Sequence, residues 1–157
     1  MQALAAIFSN PLRRGSRILF EGHVINGLHA HRQLHMHDPE AGSIFLGYRR
    51  PPHLHVVEFT SPSTMDERSR YSFFRCDPFH AQFAHKRWNA TAGMMDFLGE
   101  WHTHPQSDPA PSALDLIEWR RILKTIPDSR VFLIVGQLTD WIGIGSGGRI
   151  HDCPRIS

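Results

Sequence analysis

The sequence has few cysteines and no long apolar run. Only Cys76 and Cys153 occur among its 157 residues, and they form no C-x-x-C motif. This usage argues against a disulfide scaffold and favours two reduced thiols. No stretch approaches the roughly 20 apolar residues of a membrane-spanning helix. The basic residues near the N-terminus follow a short apolar run, the reverse of a secretory signal. These absences predict a cytoplasmic protein that does not enter the membrane.

The sequence also lacks a strong charge of either sign. Its formal net charge is +2, too small to indicate a nucleic-acid partner. The glycine-rich segment 145–149 lacks the lysine and the hydroxyl residue of a phosphate-binding loop, so we expect a turn there. No repeat or linker is visible, and the length and the 41% hydrophobic content indicate one globular domain. We expect residues 1–16 to form a loose or weakly helical lead-in and residues 17–157 to form the domain.

The apolar pattern predicts a mixture of strands and helices. Residues 43–50 and 53–60 are typical of two strands joined as a hairpin. Further strands are expected at 17–24, 71–76, 94–104, 131–138 and 141–145, and helices at 26–37, 78–89 and 112–126. The polar segment 61–70 is expected to be a loop. This mixture indicates a single α/β domain built on a mixed sheet.

Histidine is the abundant residue, with 12 copies that include four His-x-His pairs. His29 and His31 lie on a predicted helix, where residues two apart do not share a face. A second pair, 35 and 37, lies at the end of that helix. His53 and His55 can share a strand face, but no third ligand follows nearby. For these three pairs we expect solvated or hydrogen-bonded imidazoles.

The fourth pair, His102 and His104, is followed by a different context. A strand presents both imidazoles on one face, and Pro105 then ends the strand. Asp115 lies in the first turn of the next predicted helix. Two imidazoles and one carboxylate suit Zn²⁺ and leave a fourth position for water, as in a catalytic site. Ser112 and Asp115 also fit a helix N-cap with an acidic residue in the first turn, so the segment has a structural interpretation as well.

The segment WHTHPQSDPAPSALD (101–115) resembles the JAMM motif of the MPN+ (JAB) metallopeptidases, which reads His-Ser/Thr-His-Pro, six spacers, Ser-x-x-Asp. Every fixed position is filled. The family also has an upstream glutamate before a strand, and PEAGSIFLG (39–47) with Glu40 resembles that segment. Ser43 departs from the second glycine that bacterial relatives more often have there, a small change that should not disturb the turn. The resemblance extends over residues 17–145.

The resemblance implies a fold, a cofactor and residue roles. The fold is a single JAB/MPN+ domain over residues 17–157, an α/β structure with a mixed, mostly antiparallel curved sheet flanked by helices. The cofactor is Zn²⁺, bound by three residues, His102, His104 and Asp115. Glu40 is the general base and Ser112 the donor to the oxyanion. Strand parity alone nominates a competing base, Glu100, because it shares a face with the two histidines.

The resemblance also implies a substrate class. JAMM enzymes are isopeptidases or processing peptidases for ubiquitin-like modifiers, and they take the modifier tail as an added β-strand. The chain is similar to the deconjugating JAB peptidases of bacterial CBASS antiphage systems, which detach a CD-NTase from targets joined to its C-terminus by an E1/E2-like partner. Processing of a sulfur-carrier or ubiquitin-like protein and a non-catalytic MPN scaffold remain alternatives. Arg49-Arg50 and Arg68-Ser69-Arg70 are either solvated or in contact with an acidic partner.

Overall fold

The computed structural model describes residues 4–157. Within that range the elements follow in the order β1 (Ala6–Ser9), β2 (Arg17–Phe20), α1 (Gly22–His29), β3 (Gly42–Arg50), β4 (His53–Phe59), β5 (Glu67–Ser69), β6 (Ser72–Phe74), α2 (Phe79–Ala90), β7 (Met95–Thr103), α3 (Ala113–Leu123), β8 (Arg130–Val135), β9 (Asp140–Ser146) and β10 (Arg149–Asp152). Eight strands form one sheet in the order β1-β2-β4-β3-β7-β8-β9-β10, and β5-β6 form a separate hairpin.

The large sheet is mixed, mostly antiparallel and strongly curled. Its parallel pairs are β2–β4 and β7–β8, and the other neighbouring strands are antiparallel. The curl brings the two ends of the sheet together, because Phe8 of β1 forms a bridge with Arg155 and Ile7 N donates to Ser157 O at 2.9 Å. The structure thus confirms the α/β domain on a mixed sheet that the sequence pattern predicts, and the curved, mostly antiparallel form that the resemblance implies.

Apolar side chains fill both faces of the curled sheet. The inner face carries the largest cluster, into which α1 inserts Val24 and Leu28. On the outer face, Trp119 and Leu123 of α3 pack on Phe132 and Ile134 of β8. A third cluster joins α2 to β3 and β7, with Phe83, Ala84, Ile44, Leu46 and Met95 among its members. The helices therefore flank the sheet on both sides.

A β-bulge in β7 changes which side chains face outward. Leu46 pairs with Phe97 and Phe45 pairs with Gly99, so Leu98 is an extra residue in the ladder. Before the bulge, odd-numbered residues such as Phe97 face the outer side; after it, even-numbered residues such as His102 do so. The bulge therefore directs His102 of β7 towards α3.

The helix predicted at 26–37 is wrong in its position and length. Helix α1 spans Gly22–His29, so it begins inside the segment that was expected to be a strand and ends before most of the predicted helix. Residues 31–38 are irregular and are held by long-range contacts, because Gln33 Nε2 donates to the carbonyl oxygen of Arg70 at 2.8 Å. Tertiary hydrogen bonds thus override a helical spacing of apolar residues.

Two short strands at the ends of the sheet were not expected. Strand β1 lies within the segment predicted to be a loose or weakly helical lead-in, of which residues 1–3 lie outside the described residues. It forms because β2 offers it a pairing partner. Strand β10 follows the glycine turn that the sequence does predict: Gly147 and Gly148 have positive φ angles of 58° and 83°, as a two-residue hairpin turn requires.

Two further elements complete the comparison. The segment predicted as a polar loop, 61–70, contributes β5, which pairs with the short aromatic strand predicted at 71–76. The helices predicted at 78–89 and 112–126 correspond to α2 and α3. Among the described residues, none of the helices combines the length and the apolar character needed to cross a bilayer.

Candidate active site

The two histidines of the motif lie at the end of β7 with their rings close together. The Nε2 atoms of His102 and His104 are 3.0 Å apart. The ring of His102 packs against Trp119 of α3, with 5.7 Å between ring centroids. His104 Nδ1 lies 3.1 Å from Gln106 Oε1. Because an amide oxygen can only accept, Nδ1 donates its proton to Gln106, and Nε2 is the nitrogen that faces His102 and Asp115. Sequence reasoning missed this role of Gln106.

Helix α3 brings a carboxylate to both rings. Asp115 Oδ1 is 3.3 Å from His102 Nε2, and Asp115 Oδ2 is 3.2 Å from His104 Nε2. A capping box fixes this carboxylate, since Ser112 N donates to Asp115 Oδ2 at 2.8 Å and Asp115 N donates to Ser112 Oγ at 3.0 Å. The helix start therefore sets the direction of the Asp115 side chain.

Ser112 has the structural role that its sequence context indicates, and it retains a free donor. In the capping box its hydroxyl oxygen accepts, which leaves the O–H proton available to a second partner. Ser112 is exposed to solvent beside Asp115. Capping and donation to a bound carbonyl are thus compatible, and the oxyanion role of Ser112 stays a prediction.

Glu40 lies immediately before β3 and faces the same cluster. Its side chain is only 6% exposed, and its Oε1 lies 4.0 Å from His102 Nε2. The backbone on both sides of this residue is held by the β5-β6 hairpin: Glu40 N donates to Ser69 O at 2.6 Å, and Arg68 Nε donates to Glu40 O at 2.8 Å. The sequence predicted a loop there and left Arg68 either solvated or bound to a partner, so this support was missed.

The competing carboxylate, Glu100, has a different neighbour. It lies on the outer face of β7, as strand parity with His102 predicts, and its Oε1 is 3.5 Å from the guanidinium of Arg75. Glu40 instead has its carboxylate near the imidazoles. The geometry therefore favours Glu40 over Glu100 as the acid-base group of the site.

The cluster fits a metal ion. Donor atoms of His102, His104 and Asp115 lie 3.0–3.3 Å apart. Four-coordinate zinc with bonds of about 2.0–2.1 Å separates its ligand atoms by about 3.3 Å. Donor atoms of Glu40, His102 and His104 also lie within 4.8 Å of one another, so distance alone admits Glu40 as a ligand. Asp115 is the better third ligand because it approaches both rings more closely than Glu40 does.

The electrostatics distinguish the two carboxylates. Burial raises the pKa of Glu40 to about 7, against the lowering effect of the neighbouring His102 and His104. Burial also acts to raise the pKa of Asp115, but hydrogen bonds from the two imidazoles outweigh it and hold that pKa well below the usual range. Burial lowers the pKa of His104, and the hydrogen bond and the charge of Asp115 more than reverse this. Asp115 thus stays ionised, whereas Glu40 can carry a proton near neutral pH.

The other histidine pairs do not assemble a metal cluster in the described part of the chain. His29 Nε2 lies 2.6 Å from Asp140 Oδ2, and His31 packs on Trp101. His55 Nε2 lies 2.6 Å from Glu21 Oε1. Three other members of these pairs, His35, His37 and His53, are exposed.

Comparison with known proteins identifies relatives along most of the chain. Residues 23–143 match the family described as prokaryotic homologues of the JAB domain. A protein of Vibrio cholerae named CD-NTase/cGAS isopeptidase is 37% identical over 126 residues, which are 80% of this chain and 80% of that protein. A protein of Pseudomonas aeruginosa with the same name is 40% identical over 121 residues, 74% of this chain and 77% of that protein.

A solved structure supports the fold alone. The solution structure of a protein from Desulfitobacterium hafniense superposes with a TM-score of 0.61 at 20% identity, and covers 85% of this chain and 87% of that one. The family match includes Glu40, Ser43 and the whole His102–Asp115 motif, and the identity to two relatives exceeds 30% over most of both chains. The chain belongs to the prokaryotic JAB-domain family.

Proposed function

We propose that the protein is a zinc-dependent isopeptidase that cleaves the bond after the C-terminus of a ubiquitin-like modifier or a modifier-like protein. One observation carries the proposal: the two imidazoles and the Asp115 carboxylate place their donor atoms 3.0–3.3 Å apart, and the buried carboxylate of Glu40 lies 4.0 Å from His102 Nε2. Three ligands and an adjacent acid-base group are the parts of a hydrolytic metal site, whereas a scaffold needs none of them.

Each residue has a distinct part in the hydrolysis. His102, His104 and Asp115 hold zinc, which when bound supplies Lewis acidity to a carbonyl and to water. Glu40 takes a proton from the attacking water and delivers it to the leaving amine as the C–N bond breaks. The pKa of about 7 that burial gives Glu40 suits both transfers near neutral pH. Ser112 donates its O–H to the carbonyl oxygen as negative charge develops there.

The proposed modifier is a CD-NTase, and its release from conjugates is the proposed role of the chain in CBASS antiphage defence. The names of the relatives in Vibrio cholerae and Pseudomonas aeruginosa support this substrate. The scissile bond then joins the C-terminal carboxyl group of the CD-NTase to a side-chain amine of the target. An E1/E2-like protein would form this amide bond in a separate reaction, in which the carboxyl group is first activated with a leaving group that the amine displaces.

The metal assignment is tested by zinc analysis of two double variants. We expect about one zinc ion per chain in the wild type and none in His102→Ala/His104→Ala, which should still fold because the apolar clusters do not depend on the site. The matched control is His53→Ala/His55→Ala, which removes another His-x-His pair on a strand and should retain the metal. Zinc retained by the first variant, or lost by the second, would contradict the assignment.

The substrate is tested with three purified substrates at equal concentration. We expect cleavage of a CD-NTase joined through its C-terminus to a lysine side chain, and loss of that cleavage in His102→Ala/His104→Ala. Preferential cleavage of a C-terminally extended sulfur-carrier protein would favour the processing alternative. The third substrate is an unrelated fusion protein, which measures background cleavage. A zinc-loaded protein that cleaves the first two substrates no faster than this background would indicate the scaffold alternative.

A further inference from the structure

Gln33 is a buried polar residue outside the proposed metal and acid-base groups. It lies in the irregular segment after α1 and is 0% exposed. A side-chain amide has two N–H donors and one carbonyl acceptor, and here all three are used. Nε2 donates to Asp38 O at 3.1 Å and to Arg70 O at 2.8 Å, and Oε1 accepts from Thr103 Oγ1 at 2.8 Å. Because the two carbonyl oxygens can only accept, the amide has one orientation that satisfies it.

One of these bonds links Gln33 to the strand of the metal ligands. Thr103 lies between His102 and His104 on β7 and projects to the opposite, inner side of the sheet. Its hydroxyl donates to Gln33 and accepts from Ala41 N at 2.9 Å, next to Glu40. Thr103 N in turn donates to Ala41 O at 2.8 Å. The backbone that follows Glu40 is therefore fixed to β7 through Thr103 and Gln33.

The other two bonds fix the backbone before Glu40 and the hairpin beside it. Asp38 precedes Glu40 by two residues, and its carbonyl oxygen accepts from Gln33. Arg70 directly follows β5, whose Ser69 accepts from Glu40 N at 2.6 Å. One amide thus joins β7, the Glu40 segment and the β5-β6 hairpin, the three pieces of chain whose arrangement sets where the Glu40 carboxylate lies.

We propose that Gln33 is a positioning residue for Glu40, an inference that rests on the proposed function. It makes no hydrogen bond to the proposed metal ligands, and it lies on the inner side of the sheet with Thr103, whereas the imidazoles face the outer side. It sets the distance between the Glu40 carboxylate and the imidazoles through the backbone. Displacement of a catalytic group by about 1 Å can lower the rate by about 10²-fold. Loss of the Gln33 hydrogen bonds should therefore lower the rate of cleavage by moving the Glu40 carboxylate.

The test replaces the side-chain amide of Gln33 by a carboxylate of the same size. Gln33→Glu has the same size, but its carboxylate has no donor and faces the carbonyl oxygens of Asp38 and Arg70. The matched control is Asn10→Asp, because Asn10 is also a buried amide, donates from Nδ2 to Ser16 Oγ at 3.1 Å, and lies in the β1–β2 connection. With zinc-loaded enzyme and the CD-NTase conjugate, Gln33→Glu should lower kcat by about 10²-fold with KM within about twofold of wild type. Asn10→Asp should leave both constants near wild type.

A second readout does not depend on activity. In Gln33→Glu, the groups that accept from the backbone amides of Glu40 and Ala41 are no longer held in place, so hydrogen exchange at these two amides should accelerate by about tenfold or more. In Asn10→Asp the exchange of both amides should stay unchanged. If Gln33→Glu does not fold, Gln33→Met, which keeps the length without the charge, is measured instead. Unchanged exchange at both amides, or an unchanged kcat in a folded variant, would overturn the positioning role. A wild-type enzyme that cleaves no conjugate would overturn the proposed function, and the exchange rates would still decide the role of Gln33.

Discussion

Two glutamates are candidates for the acid-base group, Glu40 just before β3 and Glu100 on β7, and their surroundings assign them different roles. The carboxylate of Glu40 is enclosed near His102, and burial raises its pKa. Glu100 stands on β7 itself and faces the guanidinium of Arg75. The carboxylate of Glu100 is paired with an arginine side chain and does not contact the imidazoles, so it is poorly placed to move a proton within the site.

Substitution of each glutamate by glutamine separates the two roles. Glu40→Gln should retain zinc and substrate binding while kcat falls by about 10²–10⁴-fold, because the variant has no base to move the proton. The control, Glu100→Gln, makes the same chemical change at the other glutamate and should reduce kcat far less. Steady-state kinetics on the conjugate, with zinc content measured in parallel, provides the comparison. The opposite ranking would make Glu100 the base.

Ser112 combines a helix cap with a free hydroxyl donor, and two substitutions distinguish these contributions. Ser112→Ala removes both and should cost about 0.5–2 kcal/mol of unfolding free energy. Its rate should fall by about 10²–10³-fold if the hydroxyl stabilises the oxyanion. Ser112→Asp caps a helix well but can only accept, so it should melt near wild type and be nearly inactive. Thermal melts and kcat are measured on both variants; an active Ser112→Asp enzyme would reduce Ser112 to a cap.

At the scale of elements, the β5-β6 hairpin is attached to the rest of the molecule by a buried carboxylate. Asp66 precedes the hairpin and its Oδ2 lies 2.8 Å from His80 Nε2 of α2. Three backbone amides, those of Ser63, Cys76 and Asp77, also donate to Asp66. Burial acts to raise the pKa of Asp66, but these hydrogen bonds outweigh it and lower the pKa to about 2.

The lowered pKa of Asp66 predicts an acid-dependent loss of stability. Because the folded protein binds this proton more weakly than the unfolded chain, the stabilisation is complete above the ordinary pKa of 3.8 and is lost as the pH falls through about 2. Denaturant unfolding should show that the stability advantage of wild type over Asp66→Asn shrinks by about 2 kcal/mol between pH 5 and pH 2. Glu67→Gln, an exposed carboxylate on the same hairpin, is the control and should show no such convergence. A pH-independent gap between wild type and Asp66→Asn would contradict the prediction.

The elements also show what a single sequence can and cannot predict. Segments with a strong internal signal, such as α3 with its serine cap and the β3-β4 hairpin, correspond to their predictions. Strand β1 has only four residues, and its stability derives from pairing with β2 rather than from its own pattern. Segment 31–38 has a helical spacing, but Gln33 makes its hydrogen bonds with distant residues.

In the candidate site, too, some residues could be predicted from the sequence and others could not. His102, His104, Ser112 and Asp115 lie within one short motif, so their grouping could be predicted from spacing, and Glu40 from the resemblance. The groups that fix them come from remote parts of the chain, and no local pattern marks them: Arg68 and Ser69 on a hairpin, Gln33 after α1, and Thr103 on the inner face. Long-range hydrogen bonds have no periodicity, which is why sequence reasoning missed them.

At the scale of the whole molecule, the curled sheet is closed by the last residues of the chain. Cys153 is 7% exposed and belongs to the inner cluster, and its amide donates to Ile142 O of β9 at 2.9 Å. The residues after it pair with β1, which joins the last strand to the first. Burial, with a smaller effect from the charge of Asp152, raises the pKa of Cys153 to about 12.

This closure predicts very different reactivities for the two thiols. Cys76 is exposed, whereas Cys153 is buried and protonated at neutral pH, and only the thiolate reacts. A thiol reagent should modify Cys76 quickly in the native protein and Cys153 only at the rate at which the sheet opens, which denaturant accelerates. In Cys76→Ser the fast phase should disappear. Rapid labelling of native Cys76→Ser would mean that the end of the sheet opens readily.

The extra residue in β7 has a consequence for transplanting the motif. The two halves of β7 place their side chains in different alternation. Met95 and Phe97 face the outer side in the first half, and the bulge shifts the pattern by one residue, so that His102 faces that side in the second half. If the same residues paired with β3 as a regular strand and Met95 and Phe97 kept their places on the outer side, both imidazoles would face the apolar interior and Trp101 would face outward. The side of the sheet that the tripeptide His-Thr-His faces therefore depends on the phase of the strand that leads to it. The portable unit is the whole offset strand together with the histidine that follows it, from Met95 to His104.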